Sequence, residues 1–385
     1  MRVLMVSDVY FPRVNGVSTS IETFRRTLGV QGVDVRLIAP RYGNEPEMDG
    51  VTRVKGRPVL GDPEDRLVAW RAMHGAVLDA AKNCDLIHVQ TPFVAHYAGL
   101  KAARSLGLPV LATYHTLFEE YVQHYAPFLP GGWLRRVARR LSKSQCNALD
   151  AIVVPSSAMR QRLASYGVDA PMHVLPTGIP LSQFAAGDGA AFRRQHRISP
   201  DQPVALFVGR VAHEKNIAFL FDALQHALLQ LPELILVVAG EGPALDALQK
   251  AAETSGLKQS IRFIGYLDRN TGLPACYAAA NVFVFASKTE TQGLVLLEAM
   301  AAGLPVIALS EMGTADILDA GRGCFTPPDD AKAFGEVIGR ILANPDAWGH
   351  LAAEARAYAA EWSDEAMATR LAGLYQQLLA RHTQP

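Results

Sequence analysis

The sequence predicts an α/β protein made of two doubly wound domains, each a parallel β-sheet with helices on both faces. Three observations lead to this fold class. Short runs rich in Val, Ile and Leu alternate with amphipathic stretches, which is typical of buried parallel strands joined by helices. The alternation occurs twice, before residue 176 and after residue 203. A chain of 385 residues also exceeds what one hydrophobic core usually holds.

In the first half, five apolar runs bounded by turn residues are predicted to be strands. Helices are predicted between them, for example over 17–31 and 93–106, the second ending at the stop sequence LGLP. The five runs are RVLMVS (2–7), DVRLIAP (34–40), DLIHVQ (85–90), PVLATYH (109–115) and AIVVPS (151–156).

The second half repeats the scheme after a segment rich in Gly, Pro and Ala. That segment, 176–203, is predicted to be the hinge between domains 1–180 and 181–364. Apolar positions at helical spacing predict a terminal helix over 365–382, within the last segment 365–385. The predicted strands are PVALFVGR (203–210), LILVVAGEG (234–242), IRFIGY (261–266), NVFVFAS (281–287) and LPVIALS (304–310).

Composition argues against several classes of protein. The chain is 49% apolar and 19% charged, as in ordinary globular proteins. Its 37 Lys and Arg residues balance 37 Asp and Glu residues, which argues against a nucleic-acid partner. The four cysteines show no metal-ligand spacing and are expected to be buried thiols in a reducing compartment. Since we find no signal peptide and no membrane-spanning run, we expect a cytoplasmic protein.

The stretch TETQGLVLLEAMAAGLPVI (289–307) carries the strongest functional signal. A helix is predicted to begin near Gly293, and its first peptide N–H groups would be open to phosphate or sugar hydroxyls. Glu290, in the loop, would accept hydrogen bonds from a sugar, and Glu298 from a ribose diol. The alternative makes Glu290 a capping carboxylate and Glu298 a solvated residue. We favour function because the residues around Glu298 are almost all apolar, where an unpaired charge is costly.

Three further motifs follow predicted strands of the second half. In VGRVAHEKN (208–216), Arg210 and Lys215 suit a diphosphate, although two surface cations would explain them too. VVAGEGP (237–243) is a weak glycine signal that close packing explains equally well. FIGYLDR (263–269) would suit backbone contacts to a nucleobase.

In the first half, Gly16 and His115 are candidate site residues. Gly16, in SDVYFPRVNGVSTSI (7–21), would let the backbone approach a ligand closely, and a simple turn glycine is an equal alternative. The motif is not G-x-G-x-x-G, which argues against a dehydrogenase. His115, in TYHTLFEEYVQHY (113–125), lies where active sites of such folds form, and a packed histidine is the alternative. For His88 we favour a structural role.

Cations recur at helical spacing in FLPGGWLRRVARRLSKS (128–144), beside aromatic residues. Such a helix is predicted to lie on an anionic membrane surface. A solvated helix packed on its own sheet, or a site for an anionic acceptor, are the alternatives. The cations are Arg135, Arg136, Arg139, Arg140 and Lys143.

On these residues the chain resembles the retaining glycosyltransferases of family 4, over its whole length. The most specific feature is the E-x7-E element, Glu290 to Glu298, followed by the Arg and Lys of GRVAHEKN and the loop PRVNGV. The resemblance implies the GT-B fold, in which two Rossmann-like domains face a central cleft. YHTLFEEY and TETQGLVLLEA are most similar to diacylglycerol glucosyltransferases and bacterial mannosyltransferases.

The resemblance also implies residue roles. The terminal helix would cross back to the first domain. Gln90 and Gln292 depart from the family, which often has a histidine and an aromatic residue there, and Asn15-Gly16 replaces two glycines. By the resemblance, Gly16 would lie against the donor phosphates, and Arg210 and Lys215 would bind the diphosphate. Glu290 and the backbone of Gly293, Leu294 and Val295 would bind the transferred sugar. Glu298 would bind the ribose, and His115 would lie near the reacting centre.

Residues and resemblance together predict a retaining hexosyltransferase. It would move a hexose from a nucleotide diphosphate sugar, of the UDP-glucose or GDP-mannose type, to a lipid or glycan acceptor. No cofactor or metal is expected, because cations and a helix end can stabilise the leaving diphosphate and there is no D-x-D motif. A non-catalytic nucleotide-sugar-binding protein and a nucleotide-sugar epimerase are the alternatives. Through 128–144 the protein would contact the inner face of the cell membrane.

Overall fold

The computed structural model describes residues 1–59, 62–115, 131–318, 321–344 and 348–382, with the backbone alone at 62–64, 131–135 and 348. The chain divides into two compact units. Unit 1 comprises Met1–Gly178 and Asp364–Pro385, and unit 2 comprises Ile179–Ser363.

Unit 1 is built on one sheet, to which the described residues contribute eight strands: β1 (Arg2–Val6), β2 (Asp34–Arg41), β3 (Val51–Val59), β4 (Asp62–Val68), β5 (Leu86–Val89), β6 (Val110–Thr113), β7 (Ala151–Val154) and β8 (Met172–Val174). Their spatial order is β4-β3-β2-β1-β5-β6-β7-β8. All neighbours pair in parallel except β3 and β4, which are antiparallel. The order reverses between β1 and β5, so a crevice opens at the carboxyl ends of these two strands.

The helices of this part of unit 1 are α1 (Gly16–Val30), α2 (Trp70–Ala81), α3 (Val94–Leu106), α4 (Gly131–Cys146) and α5 (Ser157–Ser165). Each follows a strand, as in a doubly wound sheet. The sequence analysis did not predict β3, β4 or β8. In β3 most side chains are exposed or half-buried and several are charged, so this strand lacks the continuous apolar run that marks a buried strand.

Unit 2 is built on a parallel sheet, to which its described residues contribute six strands: β9 (Val204–Val208), β10 (Ile235–Ala239), β11 (Ile261–Gly265), β12 (Val282–Phe285), β13 (Val306–Ala308) and β14 (Cys324–Phe325). Their order is β11-β10-β9-β12-β13-β14. Each of the ten predicted runs contains a strand, and the fold class is confirmed. Here the order reverses between β9 and β12, which places the crevice beyond these two strands.

The described helices of unit 2 are α6 (Leu181–Ala185), α7 (Gly189–Gln195), α8 (Ile217–Leu228), α9 (Leu245–Thr254), α10 (Gly272–Ala278), α11 (Leu294–Ala302), α12 (Ala331–Leu342) and α13 (Trp348–Ala360). The segment 176–203 that interrupts the alternation holds α6 and α7. Both pack against α10, so most of this segment belongs to the body of unit 2.

The last helix, α14 (Asp364–His382), packs in unit 1 against α1. Asp364 accepts a hydrogen bond of 2.8 Å from Arg26. Leu371 and Tyr375 are buried in the same apolar core as Val3 and Met5 of β1. The core of unit 1 is therefore completed by residues that follow unit 2 in the chain.

No helix in the described residues is long and apolar enough to cross a lipid bilayer.

Candidate functional site

In unit 2, the loops that follow β9 and β12 are tied together at the strand-order reversal. The Asn216 side chain donates to the carbonyl of Ala286 at 3.2 Å, and the Ser287 hydroxyl donates to the carbonyl of Glu214 at 3.2 Å. A 3₁₀ turn, His213–Lys215, lies between β9 and α8. These bonds hold the two loops at one edge of the sheet, where ligands of such folds bind.

Lys215 and Glu290 form an ion pair across these two loops. The Lys215 Nζ lies 2.5 Å from Glu290 Oε2, and the side chains are 18% and 21% exposed. Because the pair is largely shielded from water, its attraction is screened by water and salt less than that of a surface pair. The sequence analysis singled out both residues but did not predict that they contact each other.

The helix predicted near Gly293 is α11, which begins at Leu294. Gly293 has a φ of 83°, a left-handed conformation that favours glycine, and no described side chain caps the helix. Gly313 packs on the preceding loop so closely that a Cβ atom there would lie 2.1 Å from the Thr291 carbonyl oxygen. The first N–H groups of α11, including those of Leu294 and Val295, lie at a helix start without a side-chain cap, where peptide N–H groups lack partners within the helix.

Glu298 is buried within α11 and has two partners. Its side chain is 2% exposed. Arg269 donates to Oε1 at 2.6 Å, and the Tyr277 hydroxyl donates to Oε2 at 2.9 Å. Burial and the neighbouring carboxylate raise the pKa of Tyr277 well above its ordinary value, so it stays a hydroxyl donor. The charge that the sequence placed in an apolar stretch is thus paired, and each carboxylate oxygen keeps a further lone pair.

Arg210 lies in the loop after β9 but is placed differently from Lys215. Its side chain is 66% exposed, and its ion pair among the described residues is with Glu214, at 3.7 Å. Of the two predicted diphosphate ligands, the structure therefore brings Lys215 to Glu290 and leaves Arg210 facing solvent in unit 2.

The glycines of VVAGEGP serve packing. A Cβ atom at Gly240 would lie 2.0 Å from the Gly209 carbonyl oxygen, and one at Gly242 would lie 2.3 Å from that of Val211. Only glycine lets these two strand-end loops lie backbone to backbone. The packing alternative accounts for this motif.

In unit 1, Gly16 begins α1, and its preceding residue Asn15 caps the helix by accepting a 2.8 Å hydrogen bond from Ser18 N. Gly16 is exposed, and no described atom lies within 4 Å of where its Cβ would be. Its φ is not in the left-handed region. Neither packing nor backbone conformation among the described residues of unit 1 requires glycine here, and the close-approach interpretation stays a prediction.

A cavity of about 340 Å³ lies at the strand-order reversal of unit 1. The loops after β1 and β5 contribute much of its wall, and the rest includes side chains of β6 and α4. The exposed surface of the wall is mostly apolar, with side chains such as Val9, Leu149 and Ile152, and the lining also includes the charged residues Arg13 and Asp65. A concave, mostly apolar surface with polar groups among it is typical of a site for a small molecule.

Two nitrogen atoms in the cavity wall have no hydrogen-bond partner in the described part of the chain. They are Gln90 Nε2 and His96 Nε2, on side chains that are 4% and 3% exposed. A buried polar atom without a partner is costly and is usually satisfied by water or a ligand. Gln90 and His96 thus leave hydrogen-bonding capacity unmet beside the cavity.

Asp8 is a third polar group of the cavity. Burial raises its pKa to about 6, although Thr91 and the N-terminus of α3 donate to it. Its oxygen atoms lie 2.7 Å from Thr91 Oγ1 and 3.0 Å from Ala95 N. These bonds link the loop after β1 to the loop after β5.

His115 also lines the cavity, and its Nε2 lies 3.0 Å from Gln90 Oε1. Burial lowers its pKa to about 4, so the ring is neutral at pH 7. The companion residues Glu119, Glu120 and Tyr121 of its motif lie outside the described residues.

His88 is buried between β6 and the terminal helix. Its Nδ1 lies 2.7 Å from the Tyr375 hydroxyl and its Nε2 lies 2.7 Å from Thr113 Oγ1. Burial lowers its pKa to about 3. Both ring nitrogens are engaged inside unit 1, as the structural interpretation expects.

The basic helix of 128–144 is α4, which begins at Gly131; residues 128–130 and the side chain of Arg135 lie outside the described part. Ala138, Ser142 and Gln145 are buried. Arg136, Arg139 and Arg140 are exposed, and Arg139 also lies over the Tyr166 ring, 5.3 Å from its centroid. The helix therefore packs on unit 1 through one face and presents cations on the other.

The sequence analysis missed several groups of the site. Arg269 and Tyr277 were overlooked as partners of Glu298, although the need for a partner was recognised. Asp8 was also missed, although an acid directly after a strand of a doubly wound sheet is a recognisable signal. The described residues contain no group of three or more His, Cys, Asp or Glu side chains placed to hold a metal ion.

Two family descriptions together match most of the chain. Residues 188–362 match Glycosyl transferases group 1, and residues 14–183 match Glycosyltransferase Family 4. Similar proteins include the alpha-monoglucosyldiacylglycerol synthase of Streptococcus pneumoniae, 33% identical over 92% of this chain and 81% of that protein. A GDP-mannose-dependent alpha-mannosyltransferase of Mycobacterium tuberculosis is 30% identical over 93% of this chain and 90% of its own.

Solved structures share the fold. HepE of Anabaena in complex with UDP superposes with a TM-score of 0.75 at 18% identity, covering 98% of this chain and 100% of that one. The sucrose-phosphate synthase of Thermosynechococcus elongatus gives a TM-score of 0.77 at 24% identity, with 99% of each chain covered.

Proposed function

Since the chain belongs to the glycosyltransferases of group 1 and family 4, which transfer sugars from nucleotide-sugar donors, we propose that it moves a hexose from a nucleotide diphosphate sugar to the hydroxyl of a lipid. The anomeric configuration of the hexose would be retained in the product. The observation that carries the proposal is the Lys215–Glu290 pair in unit 2. It lies at the strand-order reversal, next in the chain to the uncapped start of α11. A nucleotide-sugar-binding protein without activity and an epimerase receive no support from the relatives.

The donor half of the proposal rests on how charge changes during transfer. Negative charge grows on the diphosphate as the sugar leaves, and fixed cations and peptide N–H groups stabilise it best. Lys215 would contribute the cation and the start of α11 the N–H groups. Glu290, held by Lys215, would accept from the sugar hydroxyls. Arg210, free to move at the surface, would reach the diphosphate only once donor is bound.

Glu298 would bind the ribose through the lone pairs that Arg269 and Tyr277 leave open. Gly16 in unit 1 would allow a donor phosphate to approach the backbone. No metal or cofactor is part of the proposal, because Lys215 and the helix end supply positive charge.

The state of Glu290 bears on the route by which the configuration would be retained, and retention itself rests on the resemblance to the retaining enzymes of family 4. A carboxylate that forms a 2.5 Å ion pair is a poor nucleophile, because the cation stabilises the charge that would attack. We therefore favour attack of the acceptor on the same face that the diphosphate leaves, rather than a covalent glycosyl–enzyme intermediate. His115, neutral at pH 7, would lie near the reacting centre.

The acceptor half rests on the cavity of unit 1. Its volume of about 340 Å³ and its largely apolar wall suit part of an acyl chain or a glycerol backbone rather than a polar glycan. Gln90 and His96 would bind the polar end of the acceptor. The synthase of Streptococcus pneumoniae that this chain resembles bears the name of a glucosyldiacylglycerol product, and diacylglycerol is an acceptor of this chemistry.

The proposal extends to peripheral contact with an anionic membrane through α4. Its outward face carries Arg136 and Arg140, and each cation near an anionic surface adds about 1 kcal/mol of attraction.

The test is a donor and acceptor screen that follows release of nucleotide diphosphate. UDP-glucose, UDP-galactose and GDP-mannose are each offered with dispersed diacylglycerol or with soluble sugars. We expect release with one donor to rise sharply when diacylglycerol is added, and NMR of the first product to show the α configuration of the donor. A rate of nucleotide diphosphate release that no acceptor changes, or a product of inverted anomeric configuration, would contradict the proposal.

A further inference from the structure

A chain of three hydrogen-bonded side chains runs from the terminal helix to the cavity of unit 1. The Tyr375 hydroxyl, on α14, lies 2.7 Å from His88 Nδ1, and His88 Nε2 lies 2.7 Å from Thr113 Oγ1. Tyr375 and His88 are 0% and 1% exposed, whereas Thr113 is half-buried and lines the cavity. The chain therefore connects a buried tyrosine of α14 with a side chain of the cavity wall.

The burial of Tyr375 sets the direction of these hydrogen bonds. Burial raises the pKa of Tyr375 well above its ordinary value, so the hydroxyl keeps its hydrogen. Among the described residues its hydrogen-bond partner is His88 Nδ1, and a buried hydroxyl hydrogen without an acceptor is costly. The Tyr375 hydroxyl therefore donates, and Nδ1 accepts.

The direction of the first bond fixes that of the second. Burial lowers the pKa of His88 to about 3, so the ring is neutral at pH 7 and carries a single N–H group. Since Nδ1 accepts from Tyr375, this N–H group is at Nε2 and donates to Thr113 Oγ1. The Thr113 hydroxyl hydrogen is then left without an acceptor among the described residues. His88 thus acts on the cavity through Thr113, as a positioning residue.

A second hydrogen-bond donor lies beside Thr113. Gln90 follows Val89 and Thr113 follows Ala112, and Val89 and Ala112 are partners in the pairing of β5 with β6. Gln90 Oε1 is bonded to His115 Nε2, whereas Gln90 Nε2 has no partner in the described part of the chain. Two neighbouring donors in the cavity wall match an oxygen atom that only accepts hydrogen bonds.

We propose that Thr113 and Gln90 bind an ester carbonyl of the lipid acceptor, and that Tyr375 and His88 together hold Thr113 as a donor. An ester carbonyl oxygen accepts hydrogen bonds and has no hydrogen of its own. The largely apolar surface of the cavity suits the acyl chain that continues from the ester. This inference rests on the proposed function, and it adds that the cavity distinguishes acyl esters from alkyl ethers, which lack the carbonyl.

A carbonyl fits the two donors better than a hydroxyl or a water molecule does. A hydroxyl or a water molecule brings hydrogens that need acceptors of their own. The carboxyl of the cavity wall, Asp8, already accepts from Thr91 and from the backbone of Ala95. Sugar hydroxyls would therefore use the donors of the cavity less well than an ester would.

The test compares diacylglycerol with dialkylglycerol of the same chain length, both dispersed in detergent. The ether lipid keeps the free hydroxyl and both chains and lacks the two carbonyls. We expect kcat/KM of wild type to be roughly 30-fold higher with the ester, because two hydrogen bonds are lost with the ether. Thr113→Val, which removes one donor, should lower this ratio by about 10-fold. Thr113→Ser, the matched control, keeps the hydroxyl and should keep the ratio.

Tyr375→Phe tests the positioning role of His88. Without the tyrosine hydroxyl, His88 is free to carry its hydrogen on Nδ1 and to accept from Thr113, so the ester-to-ether ratio should fall by about 3-fold. Leu371→Ala, the control on the same helix, removes buried packing from the core of unit 1. Loss of stability lowers the use of both lipids alike, so this control should leave the ratio within about 2-fold of wild type.

The position of the hydrogen on His88 is measured independently of sugar transfer. Proton–nitrogen NMR of protein that carries nitrogen-15 in its histidines should place the hydrogen on Nε2, with the His88 signals identified by their loss in His88→Gln. A hydrogen on Nδ1 would mean that Thr113 donates to His88 rather than to the cavity, and would overturn the proposal.

The outcomes separate this inference from the proposed function. Equal use of ester and ether by wild type, or a ratio that Thr113→Val leaves unchanged, would overturn the inference while the proposed function stands. Nucleotide release that neither lipid stimulates would overturn the proposed function, and with it the inference that rests on it.

Discussion

The two units build their candidate sites at equivalent places from different chemistry. Both sites lie where the strand order reverses, beyond β1 and β5 in unit 1 and beyond β9 and β12 in unit 2. In unit 2 the site is held by the ion pairs Lys215–Glu290 and Arg269–Glu298. In unit 1 it is a cavity with a largely apolar surface, whose wall also holds neutral histidines, a carboxyl whose pKa is raised and the Arg13–Asp65 ion pair. The fold sets where a ligand binds, and local charge sets what kind of ligand it is.

The largest expected effect concerns the site of unit 2, which is held by ion pairs. Lys215→Ala should lower kcat/KM for the donor by about 10²–10³-fold, because a fixed charge that stabilises the leaving diphosphate is lost. Steady-state kinetics with varied donor measures it, with Lys215→Arg as the control that keeps the charge and recovers part of the rate. A change confined to the KM for the acceptor would break the assignment of unit 2 to the donor.

The second effect concerns the stability of unit 2. Glu298→Ala leaves Arg269 and the Tyr277 hydroxyl without their buried partner and should cost about 3 kcal/mol of unfolding free energy. Tyr277→Phe, which removes one hydrogen bond, should cost about 1 kcal/mol. Urea unfolding measures both. A cost for Glu298→Ala below that of Tyr277→Phe would show that the ion pair contributes nothing, and Glu298 would then be kept for ligand binding alone.

The third effect is a dependence of unit 1 on pH. His88, His96 and His115 have folded pKa values of about 3, 4 and 4, below the ordinary 6.5, so the unfolded chain takes up protons first and stability falls below pH 6.5. Asp8, raised to about 6 from 3.8, is protonated first in the folded state and returns stability between pH 6 and about 4. Three histidines outweigh one carboxyl, and we expect a net loss of about 6 kcal/mol from pH 6.5 to 4.

Scanning calorimetry measures this dependence if the two units unfold in separate transitions. Glu298→Ala should lower the transition temperature of unit 2 and so shows which transition belongs to that unit. The transition temperature of unit 1 should fall more steeply than that of unit 2 as the pH is lowered. His88→Gln should make the transition temperature of unit 1 depend less on pH. Equal slopes for the two transitions would remove the electrostatic contrast between the units.

The smallest effect sharpens the role of the cavity. Gln90→Leu should raise the KM for the acceptor by about 10-fold, the value of one neutral hydrogen bond, and leave the KM for the donor unchanged. Gln90→His, which keeps a ring nitrogen in the cavity, is the matched control and should stay within a few-fold of wild type. An altered KM for the donor would place Gln90 outside the acceptor site.

How much of the fold and of the candidate sites could be predicted from the sequence depended on whether each feature is marked by a local sequence pattern. Buried strands such as β1 and β9 are continuous apolar runs and were predicted, whereas β3, which is mostly exposed or half-buried and carries several charged residues, was not. The start of α11 was predicted because Gly293 marks a helix start after a strand.

Pairings between distant residues were harder to predict. The environment of Glu298 showed that a partner was needed, but Arg269 lies 29 residues away, and only the placement of α10 and α11 brings the two together. The cavity of unit 1 was not foreseen either, because its wall is drawn from several loops, strands and helices whose side chains have no common sequence pattern.

The position of α14 has a consequence for biosynthesis. Tyr375 and Leu371 fill the core of unit 1 and Tyr375 bonds to His88, yet the ribosome makes them after all of unit 2. Nascent unit 1 must therefore wait with an open hydrophobic groove beside β1, while unit 2 has its whole sequence available earlier. The amino-terminal unit is the last to be completed, which reverses the usual order of folding during synthesis.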